Sequence, residues 1–526
     1  LALLLGLLYA LTPAIQSDGL RYHLPAPELY LQQHRIVYIP FNAFTNFPFL
    51  IEMLFTFALG AGDDLAAKTM HFQCFFLAGV FVGLTARRLS RIAAEAPNAG
   101  VPDRSVRSGV LAAMIFWTTP VVLITGAWSF IDLGTALYFL ATLYALAGRH
   151  AAAAARDRRR WMLLAGVFLG FLVGTKYTMV AVAMLVPVVL LIERRAFAPD
   201  RNNPLVGWLT NSLVVGFLAL AVASPWLIKN AVFTGNPVYP LAWGVFDGGE
   251  WNDDLTEFYL AKSGQKGFHP RYDESWTMTL RHMLITPWTA SIYWRLDPVA
   301  GHPGYEDFFL GPVFLLWLPL LLRLLMDVKH RAWRETPFRV LVWFLAGYLV
   351  LWYFTYQSNR MLIPAVGILA VLVPGSIFVV ERTGRWLAAG ATAVLLAATA
   401  YNLEWSAEWV FRPTTAKPSA VSYVAGLESR DNYIRRAFEP YVMYRLMARE
   451  VPEDRQVLFV GEFRPYHCPV AWRSSDWFDL PLILHLIRET PDSDGLLDRL
   501  RAEGTEFIFC NYRELGRLKP RYFTGL

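Results

Sequence analysis

The sequence predicts a polytopic α-helical membrane protein of about eleven spans, closed by a small extracytoplasmic α/β domain, and three observations carry that expectation. Of the 526 residues, 55% are hydrophobic and 17% charged, with a mean hydropathy of +0.35, a balance too apolar for a soluble domain. Charge is segregated: no Asp, Glu, Lys or Arg occurs in Asn202 to Ile228, Phe308 to Leu322, Val340 to Asn359, Met361 to Val380 or Trp386 to Leu403. Each run suits a helix of about 20 residues crossing roughly 30 Å of hydrocarbon. After Leu403 the apolar runs shorten to strand length.

In order, the apolar segments are 1–15, 65–86, 109–125, 130–147, 161–174, 178–192, 205–228, 308–322, 339–356, 361–380 and 386–403. The first reads as a membrane helix rather than a signal peptide, because no basic residue precedes it and no small-residue cleavage site stands before Gln16. With the N-terminus inside, the short inner loops hold Arg87, Arg88 and Arg91, then Arg156 and Arg158 to Arg160, then Arg194 and Arg195, and so on through Arg382 and Arg385. Twenty basic residues fall inside, against about ten in outer loops of roughly twice the length. That bias orients the chain in the cytoplasmic (inner) membrane, N-terminus inside and C-terminal domain outside. The division is a membrane domain over 1–403, with outer loops 16–64 and 229–307, and a C-terminal domain over 404–526. Segment 16–64, with Pro25, Pro27, Pro40 and Pro48, reads as short interfacial helices forming a lid or floor. Segment 229–307, rich in Trp, Pro and Gly, suits the headgroup level.

Several function classes drop out. The net charge of +6 and pI near 9.1 are explained by topology, since the basic residues sit in short loops between apolar runs, so no nucleic-acid partner is expected. Three cysteines without CxxC, and His23, His71, His269, His282 and His302 without HxH or HExxH spacing, give neither a disulfide framework nor a metal site. Cys468 and Cys510 are read as free thiols. In the C-terminal domain Gln456 to Gly461 and Thr505 to Cys510 read as strands, with Leu480 to Ile487 and Leu496 to Arg501 helical between them. Gly461 stands alone, so no nucleotide loop is assigned.

The residues suited to chemistry gather at outer helix ends. Asp18, three residues after the first span in Gln16-Ser-Asp-Gly-Leu-Arg-Tyr-His23, sits where an acceptor hydroxyl and a lipid headgroup both reach, and suits a general base; a helix cap is the plain alternative. Glu28 follows. Glu52, among apolar residues, needs a partner, for which Arg21, Arg35 or Lys176 are the candidates. Lys176 is the one charge between Trp161 and Ile192, in the turn Val173-Gly-Thr-Lys-Tyr-Thr178, and suits a phosphate oxygen or a snorkelling role. Arg360, in Tyr356-Gln-Ser-Asn-Arg360-Met, offers a fork matched to phosphate or headgroups. Asp132, opening the fourth span, reads first as complementing the helix dipole. Asp297, His302, Glu306 and Asp307, just before the eighth span, read as a solvated loop first and as substrate contacts second.

Five stretches in order, Ser17-Asp-Gly-Leu-Arg-Tyr-His-Leu-Pro, Asn46-Phe-Pro-Phe-Leu-Ile-Glu-Met-Leu, Gly174-Thr-Lys-Tyr-Thr, Thr234-Gly-Asn-Pro-Val-Tyr-Pro and Ser358-Asn-Arg-Met-Leu-Ile-Pro, resemble the GT-C membrane glycosyltransferases. The nearest group is the branch of protein mannosyltransferases, aminoarabinose transferases and RgtA/B/C/D-like lipopolysaccharide-core enzymes, over roughly residues 1 to 410. The resemblance implies transfer of a sugar from a polyprenyl-phosphate donor to a lipid, glycan or protein acceptor at the outer face, usually with inversion. It makes Asp18 the catalytic acid-base residue, with Glu52 or Glu28 supplying any second acid, because the Asp-Glu pair of the family reads Asp18-Gly19 here. Arg21, His23, Lys176, Tyr177 and Arg360 become substrate-binding candidates, with the cations against the lipid phosphate. No cofactor is required by these residues, and a divalent cation is left as an option.

Two other classes compete. A transporter or flippase of lipid-linked sugars also needs outer cations, but the sequence shows no internal repeat and its charges gather at one face. A non-catalytic scaffold of the same fold is the third reading. In every case the outer loops and the basic residues at helix ends outrank the C-terminal domain as the expected seat of function.

Overall fold

The computed structural model describes residues 1–93, 104–197, 203–257, 276–292, 309–326, 335–355, 357–412 and 418–517. In chain order the main helices are α1 (Ala2–Ala10), α2 (Pro25–Gln32), α3 (Leu50–Ala61), α4 (Asp64–Ala93), α5 (Arg104–Thr118), α6 (Pro120–Gly126), α7 (Asp132–Ala151) and α8 (Ala155–Val173). They continue with α9 (Thr178–Ala183), α10 (Leu185–Ile192), α11 (Pro204–Thr234), α12 (Trp276–Ile292), α13 (Pro312–Met326), α14 (Thr336–Thr355), α15 (Ile363–Thr383) and α16 (Arg385–Phe411).

Each of the eleven apolar runs contains helix, so the chain is a polytopic helical membrane protein. The number of crossings is a separate matter. Among the described residues five helices are long and apolar enough to cross a bilayer alone, with a sixth if α5 and α6, bent by 70° at their junction, form one span. The bend has a local cause: Pro120 occupies the first turn of α6 and cannot donate back into α5. The other expected spans fall short of the measure for readable reasons. Arg156 and Arg158 to Arg160 occupy the first two turns of α8, and the run 178–192 is divided into α9 and α10 at Met184.

Segment 16–64 folds as expected, in short pieces. It holds a π-turn over Gly19–His23, then α2, a 3-10 turn over Ala43–Asn46, and α3, whose 12 residues are too few to span. The core of the bundle is continuous from α1 through α4, α6 and α7 to α15, with Phe75, Phe116, Phe130, Phe139 and Ile363 buried along it.

Beyond α16 a parallel three-stranded sheet forms, with β1 (Gln456–Val460) between β2 (Ala471–Arg473) and β3 (Thr505–Cys510). The helices Leu482–Glu489 and Ser493–Ala502 lead from β2 to β3. Strands β1 and β3 and both helices fall where the sequence places them; β2 is too short and polar to be read in advance. All three cysteines are free. This region packs against segment 16–64: Phe41 is buried with Leu458 and Val460, the Asp476 amide donates to the Phe41 carbonyl at 2.7 Å, and the Ala43 amide donates to Asp479 at 3.0 Å.

Candidate active site

The site begins at the π-turn. Its wide i to i+5 closure, Leu24 amide to Gly19 carbonyl at 3.0 Å, sets Arg21 so that its Nη1 donates to Asp18 Oδ1 at 2.8 Å. The turn lies tight against residue Ser129 before α7. A Cβ at position 19 would stand 2.3 Å from Ser129 Oγ, so the glycine after Asp18 is required by the close approach of the two segments. Gly19→Ala is expected to cost about 1–3 kcal/mol of stability through overpacking. The double variant Gly19→Ala with Ser129→Ala should recover most of it, as read from unfolding midpoints; an unchanged midpoint in the single variant would contradict the contact.

From Asp18 a chain of alternating charges runs in both directions. On one side Arg21 turns its remaining edge to Asp476 of the C-terminal region, Nε at 3.0 Å from Oδ2 and Nη2 at 2.7 Å from Oδ1. On the other, Arg360 Nη2 lies 3.4 Å from Asp18 Oδ2 and its Nη1 3.7 Å from Asp132 Oδ2, while Asp132 Oδ1 meets Lys176 Nζ at 3.4 Å. The order is Asp476, Arg21, Asp18, Arg360, Asp132, Lys176. Its two ends differ in kind. Contacts around Arg21 have the length of charge-assisted hydrogen bonds, whereas the Arg360–Asp18, Arg360–Asp132 and Lys176–Asp132 pairs stand at 3.4–3.7 Å. Asp18 and Lys176 keep 19% and 20% of their side chains exposed, while Asp476 keeps none. Burial opposes the charge on Arg21, and the Asp476 and Asp18 carboxylates outweigh it, raising its pKa above the ordinary arginine value.

Surrounding elements hold each member in place. The Arg360 guanidinium lies over the Phe130 ring at 4.7 Å. Its own 3-10 turn is pinned by Trp352 Nε1 donating to the Ser358 carbonyl at 2.8 Å, the Tyr348 hydroxyl donating to the Met361 carbonyl at 2.6 Å, and Asn359 donating to Ala290 at 3.1 Å. Asp132 rides on the first turn of α7, which His71 braces: its Nε2 accepts from the Leu133 amide at 3.0 Å, so Nδ1 carries the proton and donates to the Trp128 carbonyl at 2.8 Å. The Lys176 turn is fixed by the Leu50 amide on the Gly174 carbonyl at 3.0 Å, and Met361 Sδ lies 3.2 Å from Lys176 Nζ.

Four of the eight residues singled out in the sequence thus come together: Asp18, Arg21, Lys176 and Arg360. Glu52 corrects the expectation about its partner. His23 Nδ1, at 2.7 Å, takes the place offered to Arg21, Arg35 or Lys176, because α3 and the π-turn pack with these two side chains facing each other in a buried layer. That layer supports the site, since the His23 ring lies 5.8 Å from Phe130. Tyr177 also serves from behind, its hydroxyl accepting from Asn230 Nδ2 at 2.8 Å and its ring edge-on to Phe47. Asp132 stands in the first turn of α7, as read, and in addition bridges Lys176 and Arg360, and Asp476 has no counterpart among the expected site residues. His269, Asp297, His302, Glu306 and Asp307 lie outside the described residues.

Glu28, on α2, stands outside this chain. Burial, with the nearby Asp64 carboxylate, pushes its carboxyl up to about 7. A carboxyl raised above its unfolded value of 4.5 binds more protons folded than unfolded, so stability falls as pH rises from 4.5 through about 7. Glu28→Gln should therefore flatten the decline of the unfolding midpoint between acid and neutral pH, with an effect on the order of 1 kcal/mol after allowance for partial exposure. Parallel midpoint curves for both proteins would refute it.

Among the described residues no group of three His, Cys, Asp or Glu side chains gathers as a metal site. Asp18 meets the guanidinium groups of Arg21 and Arg360, and Asp132 meets Arg360 and Lys176.

No family model matches the chain, and no curated protein matches it. Solved structures do. ArnT from Cupriavidus metallidurans in the apo state aligns with a TM-score of 0.57 at 14% identity, over 98% of this chain and 93% of that one. The same enzyme bound to undecaprenyl phosphate aligns at 0.53 and 13% identity, over 98% and 89%. The archaeal oligosaccharyltransferase AglB from Archaeoglobus fulgidus, in complex with an inhibitory peptide and a dolichol-phosphate, aligns at 0.52 and 14% identity, over 97% and 69%. The class defined by this architecture is a multi-pass helical membrane protein with an appended α/β region. Its particular fold is the one seen in ArnT and AglB, as the resemblance to the GT-C membrane glycosyltransferases implies.

Proposed function

We propose that this protein transfers a sugar from a polyprenyl-phosphate donor to a hydroxyl-bearing acceptor, a lipid, glycan or protein, at the outer face of the cytoplasmic membrane, with inversion. The observation that carries the reading is the unequal charge chain. Arg360 and Lys176 stand 3.4–3.7 Å from their carboxylates, cations placed to meet a phosphate, while Asp18, partly exposed beside Arg360, can accept a proton. Undecaprenyl phosphate and dolichol-phosphate in the similar structures support a lipid phosphate as the anion.

In the step proposed, the acceptor oxygen forms a bond to the anomeric carbon as the bond from that carbon to the phosphate oxygen breaks. The acceptor proton passes to Asp18, and the negative charge growing on the leaving phosphate is met by Arg360 and Lys176. Atoms and charge balance without a cofactor, and none is assigned. The arginine-rich short loops support placing this end of the bundle, with segment 16–64 and the C-terminal region, on the outer side.

The test uses the full chain in nanodiscs with a panel of labelled undecaprenyl-phosphate monosaccharides and a membrane-lipid extract as acceptor. Transferase activity gives undecaprenyl phosphate in step with labelled acceptor. In proteoliposomes, movement of intact donor across the bilayer without bond cleavage would instead make the protein a transporter.

A further inference from the structure

The C-terminal region reaches into the site. Asp476 lies 455 residues from Arg21 in the chain, yet it receives Nε and Nη2 of that guanidinium at 3.0 and 2.7 Å. The carboxylate is fully buried and itself fixed, accepting from the Phe478 amide at 3.1 Å, while the Asp476 backbone amide holds the Phe41 carbonyl at 2.7 Å. The next residue, Trp477, sets its ring 5.8 Å from the same guanidinium, which also lies 5.5 Å from each of the Tyr22 and Phe44 rings. Arg21 is therefore gripped along one edge by a residue of the appended sheet region and enclosed by aromatic rings. Only Nη1 is directed at Asp18, at 2.8 Å.

We infer that Asp476 is a positioning residue for sugar transfer: by fixing Arg21 it sets the carboxylate of Asp18, so the active site is incomplete without the C-terminal region. Two physical consequences support this assignment. A two-point fork holds a guanidinium in plane far better than one contact, and the plane of Arg21 decides where Nη1 points and hence which oxygen of Asp18 is engaged. Asp476 also shares the positive charge of Arg21. Without it, that charge falls on Asp18 alone and opposes the uptake of a proton by the base.

The inference rests on the transferase reading and is tested so that the two can fail separately. In nanodiscs, wild type, Asp18→Asn, Asp476→Asn, Arg21→Ala and the double variant Arg21→Ala with Asp476→Asn are compared for kcat and donor KM, alongside unfolding midpoints. Asp476→Asn should lower kcat by about 10- to 100-fold with donor KM within about twofold, a size set by small displacement of a reacting group. In the Arg21→Ala background the same substitution should change kcat by less than about twofold, because the link it acts through is already gone. Asp479→Asn is the control: it sits in the same docking contact, on the Ala43 amide, and should stay near wild type. If Asp476→Asn does not yield monodisperse protein, Asp476→Glu, which keeps the charge and shifts the fork by one methylene, should show the same fall in kcat at unchanged KM. Equal losses with and without Arg21, equal losses in Asp479→Asn, or a rise in donor KM alone would overturn the positioning role. Equal turnover by wild type and Asp18→Asn would instead remove Asp18 as the base, and no sugar transfer by wild type from any donor of the panel would remove the transferase reading beneath it.

Discussion

Asp18→Asn is expected to lower kcat for sugar transfer by about 10²- to 10⁴-fold, the range contributed by a positioned general base. Asparagine keeps the size of the side chain and an oxygen for Arg21 Nη1, so the fold is spared, but it cannot take the acceptor proton. Donor binding should behave in the opposite way. Asp18 lies 3.4 Å from Arg360, and with that carboxylate neutralised the guanidinium is freer to engage a phosphate. Donor KM should therefore stay level or fall, and the affinity for undecaprenyl phosphate, read by direct binding in nanodiscs, should rise. A variant that loses donor affinity while keeping kcat would show that Asp18 holds substrate and that the base lies elsewhere.

Asp18, Arg21, Lys176 and Arg360 were legible because each interrupts or borders a long apolar run, where a charge is costly unless it has work to do. Asp132 was legible only in part. An acid in the first turn of a helix already has a local electrostatic explanation, and nothing near it in sequence announces that Lys176 and Arg360 will arrive on other segments. Glu52 showed the need for a partner without showing which one, since histidine, neutral or charged, gives no charge signal in a sequence count. Asp476 was beyond reach of such reasoning. It stands in a polar stretch where aspartate is ordinary, and its role exists only because Phe41 and Ala43 dock the C-terminal region onto the loop that carries Arg21. The fold was legible in kind, through charge-free runs, and less so in the number of crossings, because a proline after Thr119 and a break at Met184 divide apolar runs that look continuous in sequence.

Arg360→Ala should produce the second large loss, about 10²- to 10³-fold in kcat/KM for the donor, the scale of removing one preorganised stabiliser of developing charge. Two effects act in the same direction. The cation between Asp18 and Asp132 disappears, leaving the two carboxylates to repel each other and the incoming phosphate. The stack on Phe130 that fixes the direction of the fork is also lost. Arg360→Lys should recover only part of the activity, because one ammonium cannot reach Asp18, Asp132 and a phosphate with the geometry of a planar fork. Millimolar guanidinium added to Arg360→Ala should restore more turnover than equal ionic strength from sodium chloride, since the side chain is partly exposed and a free guanidinium can enter its place. Rescue confined to guanidinium would place the effect in the fork itself; equal rescue by sodium chloride would reduce Arg360 to a screened surface charge and remove it from the phosphate site.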